Sequence, residues 1–299
     1  MALSYTGGRN LYATLTDNDA TTNLTFGDIL INSAIRKYCN SNGGKWPFLE
    51  KVTTQPTVAA QQAYTLPQST RKIVDLYVTV GSTIYKPVAV ESSELWARVL
   101  EAQLGTSDRA QFYYRQGNTV LIAPTPASTA GTITIRTRKQ VVDLRNADYT
   151  TGTASITNGA YAVAGAGTTF TAAMVGRFIN FTSGDGNWYE IGAYTSATAI
   201  TLVAPYEGTT LAGSAFTIGE FSPLPIGYHE MPVFDAASLY WAKEKDQIRS
   251  KLYKDEANRM FADMIEEAGE KIEGAYMPPS ETFRDPNVPE PVIGASSFT

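Results

Sequence analysis

Residues 162–170 read AVAGAGTTF, a glycine-rich run followed by hydroxyl side chains. Such a run either cradles a phosphate or turns the chain between two strands, and the choice separates a nucleotide-binding α/β fold from an all-β segment. A phosphate loop of the nucleotide-hydrolase kind needs GxxxxGK followed by Ser or Thr, with the lysine neutralising phosphate charge and the hydroxyl holding magnesium. No lysine follows Gly167. A dinucleotide loop needs GxGxxG opening a helix, with an acidic residue about 20 positions on. Gly165 and Gly167 lack the third glycine at its spacing. The run is therefore read as a turn whose glycines supply positive φ angles.

The surroundings agree with a β reading. From about Thr150 to Glu220 charged residues are sparse, and Thr, Ser, Gly, Ala and aromatics dominate. Short alternating runs (TASIT, AYAVAG, RFINF, WYEIGAY, AITLV, SAFTIGE) are separated by turns at close spacing, the pattern of a small barrel or sandwich. A strand leads in and a helix signal follows, so residues 150–220 are expected to be an inserted all-β domain. SGDGN (183–187) offers only a fragment of a calcium loop, which needs six to eight oxygen donors. An Asp-Gly hairpin explains it with less. Trp188, Tyr189, Tyr194 and Tyr206 could stack on a sugar face, and a small β core uses such aromatics as often.

Before the insert, Thr25 reads as an N-cap with Asp28 in capping-box position, and Phe26, Leu30, Ala34 and Tyr38 form a helical stripe over about 26–40, ended by Asn42-Gly43-Gly44. Strands are expected at Lys51–Thr54, Ala63–Leu66 and Arg71–Val80, the last turning at Gly81-Ser82 into Thr83–Val88. Ser92 or Ser93 caps a second helix with an apolar face of Leu95, Trp96, Val99 and Leu100. QFYYRQGNTVLIAP reads as a hairpin, and Thr132–Val142 as a long strand whose Arg136, Arg138 and Lys139 mark a solvated face or an edge. After the insert, Pro232 sits in the first turn of a helix carrying Val233, Ala236, Ala237, Tyr240 and Trp241. A second stripe follows: Ile248, Leu252, Met260, Phe261, Met264, Ile265, Ala268 and Ile272. Residues 1–24 carry no period and are expected to be an extended arm. Residues 276–299 hold five prolines and few apolar anchors, a polyproline-like arm.

The fold class expected is thus α+β: a helical bundle, formed by the N-terminal helix and long C-terminal helices, with β-hairpins and sheet and the inserted β-module. The domains are 1–24, a core of 25–149 plus 221–275, 150–220, and 276–299.

Bulk chemistry excludes several functions. The 299 residues carry 24 basic against 29 acidic side chains, a net of −5, with no Lys/Arg-rich block to grip nucleic acid. A single Cys (Cys39) and a single His (His229) rule out an intrachain disulfide and a His/Cys zinc cluster. Both are read as structural: a helix-facing thiol and a polar residue near a helix start. The acids Glu266, Glu267 and Glu270 gather on the last helix as a solvated face, and no acid–base pair converges for catalysis. No signal peptide or apolar run of roughly 18–20 residues is present, which is read as a soluble chain of a reducing compartment. The expectation is a non-enzyme with no cofactor and no metal.

The order of elements is similar to that of head-to-tail adaptor (connector) proteins of tailed bacteriophages. The likeness is carried by the capped helix followed by WPFLEKV and AYTLP, the IVDLYVTVGSTIYKPV hairpin, and FSPLPIGYHEMPVFDAASLYWAKEKD, over roughly 25–145 and 220–275. The stretch from GTASITNG through YTSATAITL resembles a β-module that recurs in phage virion proteins, and simpler adaptors lack such an insert. The resemblance implies a virion protein of the neck, made in the host cytoplasm and assembled as a ring, usually of twelve copies, beneath the portal. Its partners would be the portal protein and tail proteins (nozzle, tube or fibres), with DNA passing through without sequence-specific binding and no membrane. It also implies a C-terminal arm that reaches the portal or a neighbour through Tyr276, Met277, Phe283, Val288, Val292 and Phe298. Two alternatives remain at this level: a tail component (tail-tube, terminator or fibre-attachment protein) and a carbohydrate-binding β-domain protein.

Overall fold

The computed structural model describes residues 2–102 and 104–273. The chain starts with a helix where an extended arm is expected. In α1, Tyr5–Thr16, the Ser4 hydroxyl caps the N-terminus by accepting from Gly7 N at 3.1 Å. Gly8, Tyr12 and Thr16 recur every fourth residue as its buried face. A Cβ at Gly8 would meet Val233 only at an ordinary 3.8 Å, whereas one at Gly27 would run into the Tyr12 ring, so it is Gly27 that makes room for Tyr12. A left-handed turn at Asp17 closes α1 and leads into α2, Thr21–Asn40. That helix begins four residues before the expected cap. The Thr25 hydroxyl instead donates back to Thr21 O at 2.9 Å, inside the helix. The expected stop holds: a 3-10 turn over Ser41–Gly44 follows, with Gly43 and Gly44 at positive φ.

Next come two four-stranded sheets. β1 (Glu50–Pro56), β8 (Gly131–Lys139), β3 (Thr70–Val80) and β4 (Thr83–Tyr85) are ordered β1-β8-β3-β4, with antiparallel pairing throughout. β2 (Ala63–Thr65), β7 (Thr119–Ala123), β6 (Phe112–Gln116) and β5 (Val88–Val90) are ordered β2-β7-β6-β5, with β5 parallel to β6. Alternation, shifted by a bulge between Ile73 and Asp75, turns Ile73, Leu76, Val78, Ile133 and Ile135 of the first sheet onto Tyr64, Val120 and Ile122 of the second in one core. β8 lies inside its sheet, so its cationic residues do not mark an edge; Arg136 is exposed, and Arg138 is largely buried beside Glu50 at 3.3 Å. The expected strand over Thr83–Val88 divides between the two sheets, because Pro87 cannot donate to a ladder. Between β5 and β6 lies α3, Ser93–Glu101, capped by the Ser92 hydroxyl accepting from Leu95 N at 3.2 Å.

The segment read as an insert forms a seven-stranded antiparallel sheet with its own core, including Phe170, Ile179, Phe181, Ile191, Tyr206 and Phe216. Its strands are β9 (Thr153–Ile156), β10 (Ala162–Ala166), β11 (Phe178–Phe181), β12 (Tyr189–Ser196), β13 (Ala199–Leu202), β14 (Leu211–Ser214) and β15 (Phe216–Gly219). The order β14-β9-β10-β13-β12-β11-β15 ends on two strands that only Ala215 separates, so the sheet curls until its edges meet in the chain. α4 (Met231–Lys243) and α5 (Gln247–Glu273) complete the fold. They form two helices because Lys245 takes a left-handed conformation between them. A third core joins α1, α2, α4 and α5 through Tyr12, Ile35, Tyr38, Val233, Ala236 and Met264, with Trp46 and Leu49 beside them. The protein is a mixed α+β chain.

Candidate interaction surfaces

The chemistry-bearing residues are spent on the fold. Cys39 is fully buried in the helical core, where desolvation pushes its thiol up to about 12, so it stays a protonated apolar filler. His229 is also buried. Its Nδ1 accepts from Leu3 N at 3.2 Å, and its Nε2–H donates to Leu224 O at 2.8 Å. Burial holds the imidazole below its usual pKa, and both ring nitrogens are engaged. The glycine-rich run of 162–170 is strand β10 as far as Ala166 and turns at Gly167, which alone of its glycines has a positive φ. Gly165 N donates to Thr198 O (2.8 Å), Phe170 N to Ala197 O (2.9 Å) and Thr169 N to the Tyr149 hydroxyl (2.7 Å), so its donors already face protein acceptors. In SGDGN, Asp185 accepts from Asn187 N at 3.1 Å and from the Tyr189 hydroxyl, which closes the hairpin on itself. Among the described residues no group of three or more His, Cys, Asp or Glu side chains is placed to hold a metal. Of the four module aromatics, Tyr189 and Tyr206 are core residues, and Trp188 packs edge-on against Phe221 at 4.7 Å.

What remains outward is apolar surface and sheet edge. The stripe expected to bury along α5 is only half right. Of its members Met264 faces inward, joined by Ala257 from outside the expected stripe, but Ile248, Leu252 and Ile265 are 84%, 62% and 48% exposed. Sixteen residues separate Ile248 from Met264, about 160° of helical rotation, so the two lie on opposite sides of α5 and one stripe cannot include both. α3 departs in the same way. Only Trp96 turns inward, stacking on Tyr114 at 5.8 Å, while Leu95 is 50% exposed. Leu95 and Val99 line an open, mostly apolar groove of about 700 Å³ against Val88, Val90, Leu104 and Phe112. β5 forms its rim and is the end strand of its sheet.

A second concavity, about 660 Å³, lies where the β-module meets the remainder of the chain, with Lys139, Arg177, Trp188 and Phe221 on its walls. The two connections of the module run side by side here: Tyr149 and Ile218 exchange backbone hydrogen bonds, and Glu220 accepts from Arg145 N and Asn146 N at 2.9 and 2.7 Å. The start of the chain stitches both together. Ser4 donates to Asp148 at 2.7 Å, and Tyr5 N to Glu220 O at 2.8 Å. Residues 276–298, where Tyr276, Met277, Phe283, Val288, Val292 and Phe298 were singled out, lie outside the described residues.

Against known families, the model of the SU10 adaptor protein family matches residues 9–166. The chain belongs to the SU10 adaptor protein family. The match takes in most of α1, α2, both four-stranded sheets, α3 and the first two strands of the module. It therefore includes part of the segment expected to be a free arm, and it stops short of 220–275, where sequence likeness was also read. No curated protein matches the chain. Membership makes this a phage adaptor-type structural protein, and among its described residues no helix is long and apolar enough to cross a membrane.

Proposed function

We propose that this adaptor assembles as a ring in the virion neck, docks on the portal, extends the DNA channel and presents the surface on which tail proteins seat. The observation that carries the reading is the family match over residues 9–166. The surface supports it: a monomer has no use for Ile248 and Leu252 in water, or for an open apolar groove beside an unpaired strand edge, and contacts between chains would use all three. The module of 150–220 is proposed as an insertion whose paired connections leave the main body continuous. The residues proposed for the portal or neighbour contact remain Tyr276, Met277, Phe283, Val288, Val292 and Phe298.

The same reading makes the chain non-catalytic, in keeping with a buried thiol and a fully bonded imidazole. A sugar-binding module is less well supported, because two of its four candidate aromatics fill the core. Mass photometry and negative-stain microscopy of the chain alone and mixed with portal rings test the proposal. Closed rings seated on portal are expected. A chain that stays monomeric in both samples overturns it.

A further inference from the structure

The groove beside α3 has the build of a peptide slot. Strand β5 forms one wall, α3 the other and Phe112 of β6 contributes to the floor, so an incoming strand would extend the sheet while its side chains met the helix. The register fixes which groups are on offer. Val88 N donates inward to Gln111 O at 2.8 Å, so alternation turns the N–H and C=O of Ala89 to the open edge. Val88 pairs with Phe112 and Val90 with Tyr114, and Tyr114 stacks on Trp96; these four side chains therefore share the face that α3 covers.

The sequence of this chain contains a segment fitted to that edge. Residues 288–292 read Val-Pro-Glu-Pro-Val. Proline cannot donate to a ladder and is tolerated on an edge strand only where its nitrogen faces away from the partner. Pro289 and Pro291 have the same parity, so a strand of 288–292 keeps every remaining N–H, those of Val288, Glu290 and Val292, on one side. Each residue that precedes a proline is also biased towards extended backbone.

We propose that residues 288–292 of a neighbouring copy add to β5 as a parallel strand, with Val288 and Val292 in the apolar groove and Glu290 opposite Arg98. In this register Ala89 N–H donates to Val288 C=O, and Glu290 N–H donates to Ala89 C=O, while Pro289 and Pro291 point outward. The parallel direction is the one that places the valines, and not the prolines, against Leu95 and Val99. The groove lining holds one cation, Arg98, and one acid, Glu91, and Arg98 supplies the charge match for Glu290. Residues 274–287 lead from the end of α5 to Val288, and at about 3.3 Å per residue they reach up to roughly 45 Å, enough to arrive at an adjacent subunit. The proposal rests on the ring reading and names one contact within it.

Two full-length single variants, Arg98→Cys and Glu290→Cys, test it when mixed in equal amounts and oxidised. Cys39 is buried and does not compete. The expected product is a disulfide-linked dimer holding one chain of each kind, and a ladder of linked multimers when both substitutions share one chain. Mass photometry of the same samples scores assembly independently. Rings without the mixed crosslink overturn the groove contact and leave the ring reading standing. An intrachain disulfide in the double variant, without a ladder, assigns the groove to the chain's own arm and overturns the neighbour. Monomers throughout, with portal rings present, sink both.

Discussion

Asn32 and Leu144 close a reciprocal pair between α2 and the chain leaving β8. The Asn32 amide Nδ2 donates to Leu144 O at 3.1 Å, and its Oδ1 accepts from Leu144 N at 2.9 Å. One side chain thus does for an isolated backbone what a neighbouring strand would do, and it ties the helical layer to the paired sheets at a buried point.

Asn32→Ala is expected to cost about 3 kcal/mol, because it strands a buried donor and a buried acceptor together. Urea unfolding of the two chains measures it. A loss below about 1 kcal/mol would show that water restores both groups, and the pair would then not be the weld described.

The readable parts of the fold were those where a local period and a buried face coincide. β3 and β8 alternate Ile, Leu and Val against polar residues, and both became inner strands. β14 went unread because LAGS holds one large apolar residue, and its pairing with β9 shifts register along its length. α1 was missed because its buried face is built from Gly8, Tyr12 and Thr16, residues that local propensity assigns to turns and strands. α3 and α5 are the helices their patterns predict, but their apolar residues divide between two faces. Leu95 beside Trp96 carries the missing signal: a short helix apolar on two sides cannot bury both against one sheet. The outward half became the candidate surface. Nothing local announces that β5 ends its sheet, since strand order depends on pairing across the chain.

Asp235 joins three helices. It sits on α4 with a nearly inaccessible carboxylate, 2.7 Å from Lys37 Nζ of α2 and hydrogen-bonded to Lys254 of α5. Burial alone would push Asp235 up, but the two ammonium groups outweigh it and hold the carboxyl below its ordinary value of 3.8. A depressed carboxylate contributes stability above the unfolded value, and that stability is lost as pH falls through the folded one. Asp235→Asn should therefore cost about 1–3 kcal/mol at neutral pH, with the gap to the parent chain narrowing below about pH 4. Denaturant midpoints at neutral and acid pH decide it, and a gap that does not change with pH would contradict the assignment.

His229 behaves with the opposite charge. Its neutral form is the one bonded between Leu3 N–H and Leu224 C=O, and burial places its pKa below 6.5. Between the folded and unfolded values the unfolded chain binds more protons, so this residue's contribution is complete above about pH 6.5 and declines as pH falls towards the lower value. His229→Gln should lower the melting temperature at pH 8, where both bonds of the neutral ring are lost. It should also flatten the decline between about pH 7 and 5. Melting curves that run parallel for the two chains over that range would remove the imidazole from the acid response.

The last prediction separates the body from the arm. Among the described residues the three hydrophobic cores reach no further than Met264, so truncation after Gly274 removes none of their members. The melting temperature of the truncated chain should then match that of the full chain within about 1 °C, since no core contact or cap among the described residues is removed. Ring formation and portal capture should weaken, because the truncation deletes both the proposed strand of 288–292 and the apolar points from Tyr276 to Phe298. Calorimetry and portal pull-down on the same preparation read the two halves of the claim. Equal melting with equal portal capture would assign assembly to the body alone, through surfaces such as Ile248 and Leu252 on α5. Unequal melting would mean that the arm belongs to the fold of its own subunit.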